Sequence, residues 1–138
     1  MKKELSIIPV PYPRLIPKYL LDQVKDRTWT TEAWYDHQTE LIGVDSNIVL
    51  AFIDRNHEIK GFIWLTIDNF DGYVYINTLS VDPQYQRKSK LINFVTRYIR
   101  ELAKALGIER VLWSAKRAKA LTRYGFQESE YRLMEAKV

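Results

Sequence analysis

The residues from Val81 to Leu91 (VDPQYQRKSKL) hold the densest chemistry in the chain. Arg87, Lys88 and Lys90 put three cations in four positions. An arginine fork or a lysine point charge grips a phosphate oxygen, so this cluster suits an anionic ligand. Just before it, the stretch Tyr73–Val81 offers Tyr75, Asn77, Thr78 and Ser80 but no carboxylate. Hydroxyls and an amide can hydrogen-bond a polar ligand or a water. The absence of cysteine excludes a thiolate nucleophile, a thiolate zinc site and a disulfide scaffold. His37 and His57 are the only histidines, and neither has partners at metal-ligand spacing, so no metal site is expected.

Charge reinforces the first of these signals. The net charge of +4 is an average over uneven segments. Residues 1–85 carry 8 basic and 12 acidic side chains, residues 86–123 carry 11 and 2, and residues 124–138 carry 2 and 3. A segment of net +9 therefore dominates, and its partner is a phosphorylated ligand, a nucleic acid or an acidic protein. Arg97, Arg100, Lys104, Arg110, Lys116, Arg117, Lys119 and Arg123 could line a nucleic-acid stripe, but no nucleic-acid motif accompanies them.

The chain of 138 residues, 46% hydrophobic, suits a single domain spanning 1–138 with a real core. No apolar run spans a membrane, and the N-terminus lacks a signal-peptide pattern, so a soluble cytoplasmic protein is expected.

The elements that must position these residues follow from periodicity. Lys3–Val10 reads as a strand. A proline-rich connection leads to a helix over Pro17–Arg27 that buries Leu20, Leu21 and Val24. Thr30 or Thr31 caps a second helix over Glu32–Leu41, and Gly43 stops it. Strands over 47–54, 59–68 and 73–81 are joined by short turns and form antiparallel hairpins. The clearest helix is Lys88–Leu106, with an apolar stripe of Leu91, Val95, Tyr98, Ile99, Leu102 and Leu106, and Gly107 at its C-terminus. A strand over 108–113, a basic helix over 115–124 and a strand over 126–134 close the chain. The order β-α-α-β-β-β-α-β-α-β makes an α/β protein (an α+β mixed sheet) in which a crossover helix leads to a parallel strand.

This order, the run Val81–Lys88 opening a long helix, and Tyr124-Gly125-Phe126 after a short helix resemble the GNAT N-acetyltransferase superfamily. The resemblance implies a GNAT-like fold that moves an acetyl group from acetyl-CoA, a co-substrate, directly to an amine on a protein or small molecule. It places the pantetheine arm on backbone groups of Leu79, Ser80 and Val81, and the pyrophosphate on the loop of Gln86, Arg87, Lys88, Ser89, Lys90 and Leu91. Ser114 stands where an asparagine is frequent. Tyr124 is the available acid, because the usual tyrosine slot holds Leu121. The glycine-type slots of the phosphate loop hold Ser89 and Leu91. Asn77 or Tyr75 would position the amine or a water. Trp29, Trp34 and Tyr35, near Asp36 and Glu40, would wall the acceptor groove or pack the second helix. The rival reading is a catalytically decayed GNAT-like interaction protein, in a bacteriophage setting that the resemblance suggests. It would bind a protein or nucleic acid through its basic surface. A homodimer through an exposed last strand is a further partner option.

Overall fold

The computed structural model describes residues 5–25, 27–86, 89–113, 122, 125–127, 129 and 134–137. Their elements are β1 (Ser6–Pro9), α1 (Lys18–Asp22), α2 (Thr31–Glu40), β2 (Asn47–Ile53), β3 (Ile59–Asp68), β4 (Tyr73–Val81), α3 (Ser89–Ala105) and β5 (Arg110–Trp113). The expected helix over 115–124 lies almost wholly outside the described residues, as does most of the expected strand over 126–134.

The strands form one five-stranded sheet in sequence order. β1 to β4 pair antiparallel, and β5 joins β4 in parallel after the α3 crossover. Pro9 is tolerated in β1 because that strand is a sheet edge, where a missing N–H breaks no inner ladder.

Each face of the sheet carries its own core. α3 covers one face with Leu91, Val95, Ile99 and Ala103 against Leu50, Phe52, Ile63, Leu65, Val74, Ile76 and Val81. On the other face Ile16, Leu20, Leu21, Trp34 and Tyr35 pack on Ala51 and Phe62. Each large side chain sealed this way contributes about 1.5–3 kcal/mol of transfer free energy.

Two helices differ from their sequence expectation. α1 stops at Asp22 rather than Arg27. Two long side chains hold the chain there instead of continuing the helix. Arg27 Nη1 donates to the Leu21 carbonyl at 2.9 Å, and Gln23 Nε2 reaches Ser80 and Val81 on β4. On α3 the buried stripe is Leu91, Val95, Ile99 and Ala103, whereas Tyr98 and Leu106 are exposed. The stripe turns off Leu106 because the helix ends at Ala105, where the Ile108 N–H returns to the Ala103 carbonyl around Gly107 at φ +72°. Thr30, not Thr31, caps α2: its Oγ1 accepts from the Ala33 N–H at 3.1 Å. Thr31 instead donates to Asp22 Oδ1 at 2.5 Å and accepts from Arg27 Nη1 at 2.7 Å, tying α2 to α1.

Candidate active site

The site begins with a fault in the β3–β4 ladder. Trp64 pairs with Thr78 and Leu65 with Ile76, so Asn77 is an extra residue opposite no partner. The bulge shifts the phase of the strand. Val74 and Ile76 before it face the α3 core, and so do Leu79 and Val81 after it. The polar residues therefore share the opposite face, toward α1 and α2. Asn77 Nδ2 donates to Thr66 Oγ1 at 2.7 Å, and Ser80 Oγ donates to the Leu20 carbonyl at 2.6 Å. Tyr75 and Asn77 are half-buried there.

Beyond the bulge β4 runs on past the last described residue of β5. The described β4–β5 pairing ends at Ile76 opposite Trp113, while β4 continues to Val81. Backbone direction in this stretch is fixed by the Asp82 N–H, which donates to the Lys60 carbonyl on β3 at 2.7 Å. Backbone groups alternate along an extended strand, so Ser80 also addresses β3, while Leu79 and Val81 point to the side β5 leaves. The Val81 carbonyl is already taken, by Gln23 Nε2 at 2.6 Å and Gln86 Nε2 at 3.0 Å. The Leu79 and Val81 N–H groups and the Leu79 carbonyl point to the β5 side, where no described strand residue pairs with them.

A close backbone approach makes that strand end rigid. Gly61 faces Val81 across the ladder and Phe52 on its other side. A methyl on Gly61 would lie 2.7 Å from Val81 Cγ1, 2.8 Å from Phe52 Cδ2 and 2.9 Å from the Ser80 carbonyl oxygen. After β4, Asp82 Oδ1 accepts the Gln84 N–H at 3.1 Å and Asp82 Oδ2 accepts the Tyr19 hydroxyl at 2.8 Å. The Gln84 N–H, then the Tyr19 hydroxyl, hold the Asp82 carboxyl below the usual range. Burial, then the bond to Asp82, pushes the Tyr19 phenol up to about 12.

α3 follows directly. Its first N–H groups have no intrahelical partner, and with the macrodipole they favour an anion. The described start, Ser89-Lys90-Leu91, places Lys90 exposed and the Leu91 side chain in the core. Leu91 thus offers its backbone rather than its side chain. Arg87, Lys88, Ser114 and Tyr124 lie outside the described residues. Gly125, at φ +87°, sits against the Arg100 guanidinium, which lies 5.7 Å from the Phe126 ring centroid; a Cβ on Gly125 would collide with Arg100.

The aromatic trio divides. Trp34 is 1% exposed and Tyr35 6%, both in the core, and the Tyr35 hydroxyl donates to the Ile16 carbonyl at 2.6 Å. Of the two readings of these residues, packing of α2 is the one this burial fits. Trp29 remains half-buried, 6.4 Å from Trp34 between ring centroids. The Ser80 hydroxyl serves the fold: it donates to the Leu20 carbonyl and accepts from Gln23 Nε2 at 2.7 Å.

Sequence reasoning passed over Gln23, Tyr19, Thr66 and Gly61. The one local signal was in β4 itself, where apolar residues at 74 and 76 give way to 79 and 81. Among the described residues no three His, Asp or Glu side chains gather to hold a metal, and no helix is long and apolar enough to cross a membrane.

A family model described as the acetyltransferase (GNAT) family matches residues 13–126. The chain belongs to the GNAT acetyltransferase family. Solved structures share its fold. An aminoglycoside N-acetyltransferase in complex with CoA has a TM-score of 0.77 at 14% identity, covering 99% of this chain and 97% of the other. An aminoglycoside 6'-N-acetyltransferase from Acinetobacter baumannii has a TM-score of 0.71 at 15% identity, covering 97% and 98%. Glucosamine-6-phosphate N-acetyltransferase from Arabidopsis thaliana has a TM-score of 0.71 at 16% identity, covering 97% and 99%. No curated protein sequence matches. The mixed sheet with a parallel β5 is the fold of this GNAT domain.

Proposed function

We propose that this GNAT domain transfers the acetyl group of acetyl-CoA directly to an amine. The observation that carries the reading is the end of β4 past the Asn77 bulge, where no described residue of β5 pairs with it and the Leu79 and Val81 N–H groups point to the β5 side. The pantetheine arm of the co-substrate, with its two amides, has the chemistry to add to such a ladder. Gln86 braces the strand end through the Val81 carbonyl, and Arg87, Lys88 and Lys90, with the first amides of α3, would take the phosphates.

Acetyl-CoA supplies the acetyl group. The chain supplies position and polarity around the bulge. Asn77 is held by Thr66 on the α1–α2 face, beside half-buried Tyr75. Its amide carbonyl oxygen would accept from an amine N–H or a water. The β4 backbone N–H nearest the thioester would stabilise charge developing on its carbonyl oxygen. No carboxylate lies on β4 to deprotonate an ammonium, so the acceptor reacts as the fraction of neutral amine present. Tyr124 is the residue assigned to return a proton to the CoA thiolate, and Ser114 to hydrogen-bond the pantetheine. Trp29 is the aromatic left to contact the acceptor.

The test is thiol release from acetyl-CoA across a panel of amines, with and without Asn77→Ala. Amine-dependent thiol release that falls on substitution supports the transfer. Acetyl-CoA binding with no release across the panel would instead support a protein that holds the ligand without turning it over.

A further inference from the structure

One side chain from the end of α1 grips the end of β4. Gln23 follows the last residue of that helix, and its backbone N–H donates to the Tyr19 carbonyl at 3.1 Å. Its carboxamide crosses to β4, where Nε2 donates to Ser80 Oγ at 2.7 Å and to the Val81 carbonyl at 2.6 Å. A backbone carbonyl can only accept, so the atom meeting Val81 is the nitrogen and the other is the oxygen. Both N–H bonds of Nε2 are used, and together they fix the plane of the group.

That leaves Gln23 Oε1. It accepts no hydrogen bond among the described residues. It is also not one of the described sealed atoms without a partner, which are Trp34 Nε1 and Gln38 Nε2. Gln23 is half-buried, and its oxygen is an acceptor that a ligand can reach. Its place follows from the ladder. The Asp82 N–H donates to the Lys60 carbonyl on β3, so the Val81 carbonyl, one residue earlier, points to the β5 side. By meeting that carbonyl, the Gln23 carboxamide sits at the margin of β4 that carries the Leu79 and Val81 N–H groups.

We propose that Gln23 Oε1 accepts a hydrogen bond from an amide N–H of the pantetheine arm, so that α1 contributes a side chain to the acetyl-CoA site. The proposal rests on the acetyl-CoA reading above. An arm laid along β4 brings two amide N–H donors, and each needs an acceptor. The Leu79 carbonyl can take one. The next carbonyl on that side, Val81, is filled, because an oxygen has two lone pairs and Gln23 Nε2 and Gln86 Nε2 occupy both. Without a further acceptor the second N–H would leave water unpaired, which weakens binding. Gln23 Oε1 is the acceptor attached to the very group that fills Val81. It is neutral, like the amide it would meet, so no charge leaves water. Two bonds already hold the carboxamide, so its rotamer is set before the ligand arrives.

The test is calorimetry on the full chain with acetyl-CoA and with 3′-phosphoadenosine 5′-diphosphate, which carries the phosphates without the arm. Gln23→Lys keeps N–H donors for Ser80 and Val81 but removes the acceptor, and its added cation acts on both ligands alike. It should lower acetyl-CoA affinity about tenfold relative to the nucleotide. In carbon-13 and nitrogen-15 spectra of the unsubstituted protein, the Gln23 carboxamide signals should shift saturably with acetyl-CoA and not with the nucleotide. That second measurement needs no variant, should Gln23→Lys fail to fold. An unchanged affinity ratio in a folded variant, or carboxamide signals unmoved at acetyl-CoA saturation, would overturn the inference and leave acetyl-CoA binding standing. A carboxamide shift produced by butylamine alone would give Oε1 to the acceptor amine and also overturn it. No binding of acetyl-CoA to the unsubstituted protein would overturn the acetyl-CoA reading and this inference together. Neither readout depends on turnover.

Discussion

Asn77 donates its side-chain amide to Thr66 Oγ1 at 2.7 Å across the one place where the β3–β4 register slips. That bond fixes the amide on the α1–α2 face, where its carbonyl oxygen would accept from the amine in the proposed transfer. Asn77→Ala should lower kcat/KM for amine acetylation by about 10- to 100-fold while leaving acetyl-CoA affinity within about twofold. Steady-state kinetics paired with calorimetry checks it. A parallel loss of acetyl-CoA affinity would assign Asn77 to binding instead.

The phosphate loop is tested by charge removal. Gln86→Ala/Arg87→Ala/Lys88→Ala takes away two cations and the brace on the Val81 carbonyl. Acetyl-CoA should bind at least about tenfold more weakly, with a smaller salt dependence, because charge-assisted hydrogen bonds contribute about 1.5–3 kcal/mol each. Titrations at two ionic strengths measure both effects.

Gly61 is a packing requirement. Gly61→Ala puts a methyl within 2.7 Å of Val81 and 2.8 Å of Phe52, and within 2.9 Å of a backbone oxygen that cannot move alone. The expected cost is about 1–3 kcal/mol in urea unfolding, with weakened acetyl-CoA binding as β4 is displaced.

The Tyr19–Asp82 bond has a pH signature with two limbs. The folded Asp82 carboxyl is lowered from 3.8, so its stabilisation is present above that value and is lost as pH falls through the folded one. Tyr19 is raised from 10.0 to about 12, so its contribution is intact below 10 and is lost as pH rises toward 12 and the unfolded phenol ionises first. Asp82→Asn should flatten the acid limb of a urea-midpoint profile, and Tyr19→Phe the alkaline limb.

Much of this was legible in the chain. The turns 55–58 and 69–72 announce the two hairpins, and β2, β3 and β4 fall within a residue of expectation. Long-range partners were not legible, because no local pattern encodes them. Gln23 reads as one more polar helix residue until the fold brings it 2.7 Å from Ser80 Oγ. The Ser80 hydroxyl reads as free until the fold brings it to the Leu20 carbonyl. Trp34 and Tyr35 read as core more readily than as groove wall, and their burial fits packing. The bulge left a trace in the shifted apolar phase of β4, but a phase shift alone does not reveal which strand slips past which.

In the proposed complex acetyl-CoA lies along β4 beyond Ile76. Titrating acetyl-CoA into the nitrogen-15-labelled protein and following backbone amides checks this position. Saturable shifts should be largest at Leu79 and Val81, with Lys90 and Leu91 moving at the same ligand concentration. No saturable shift at millimolar acetyl-CoA, or shifts centred on the β1–β2 edge, would contradict it.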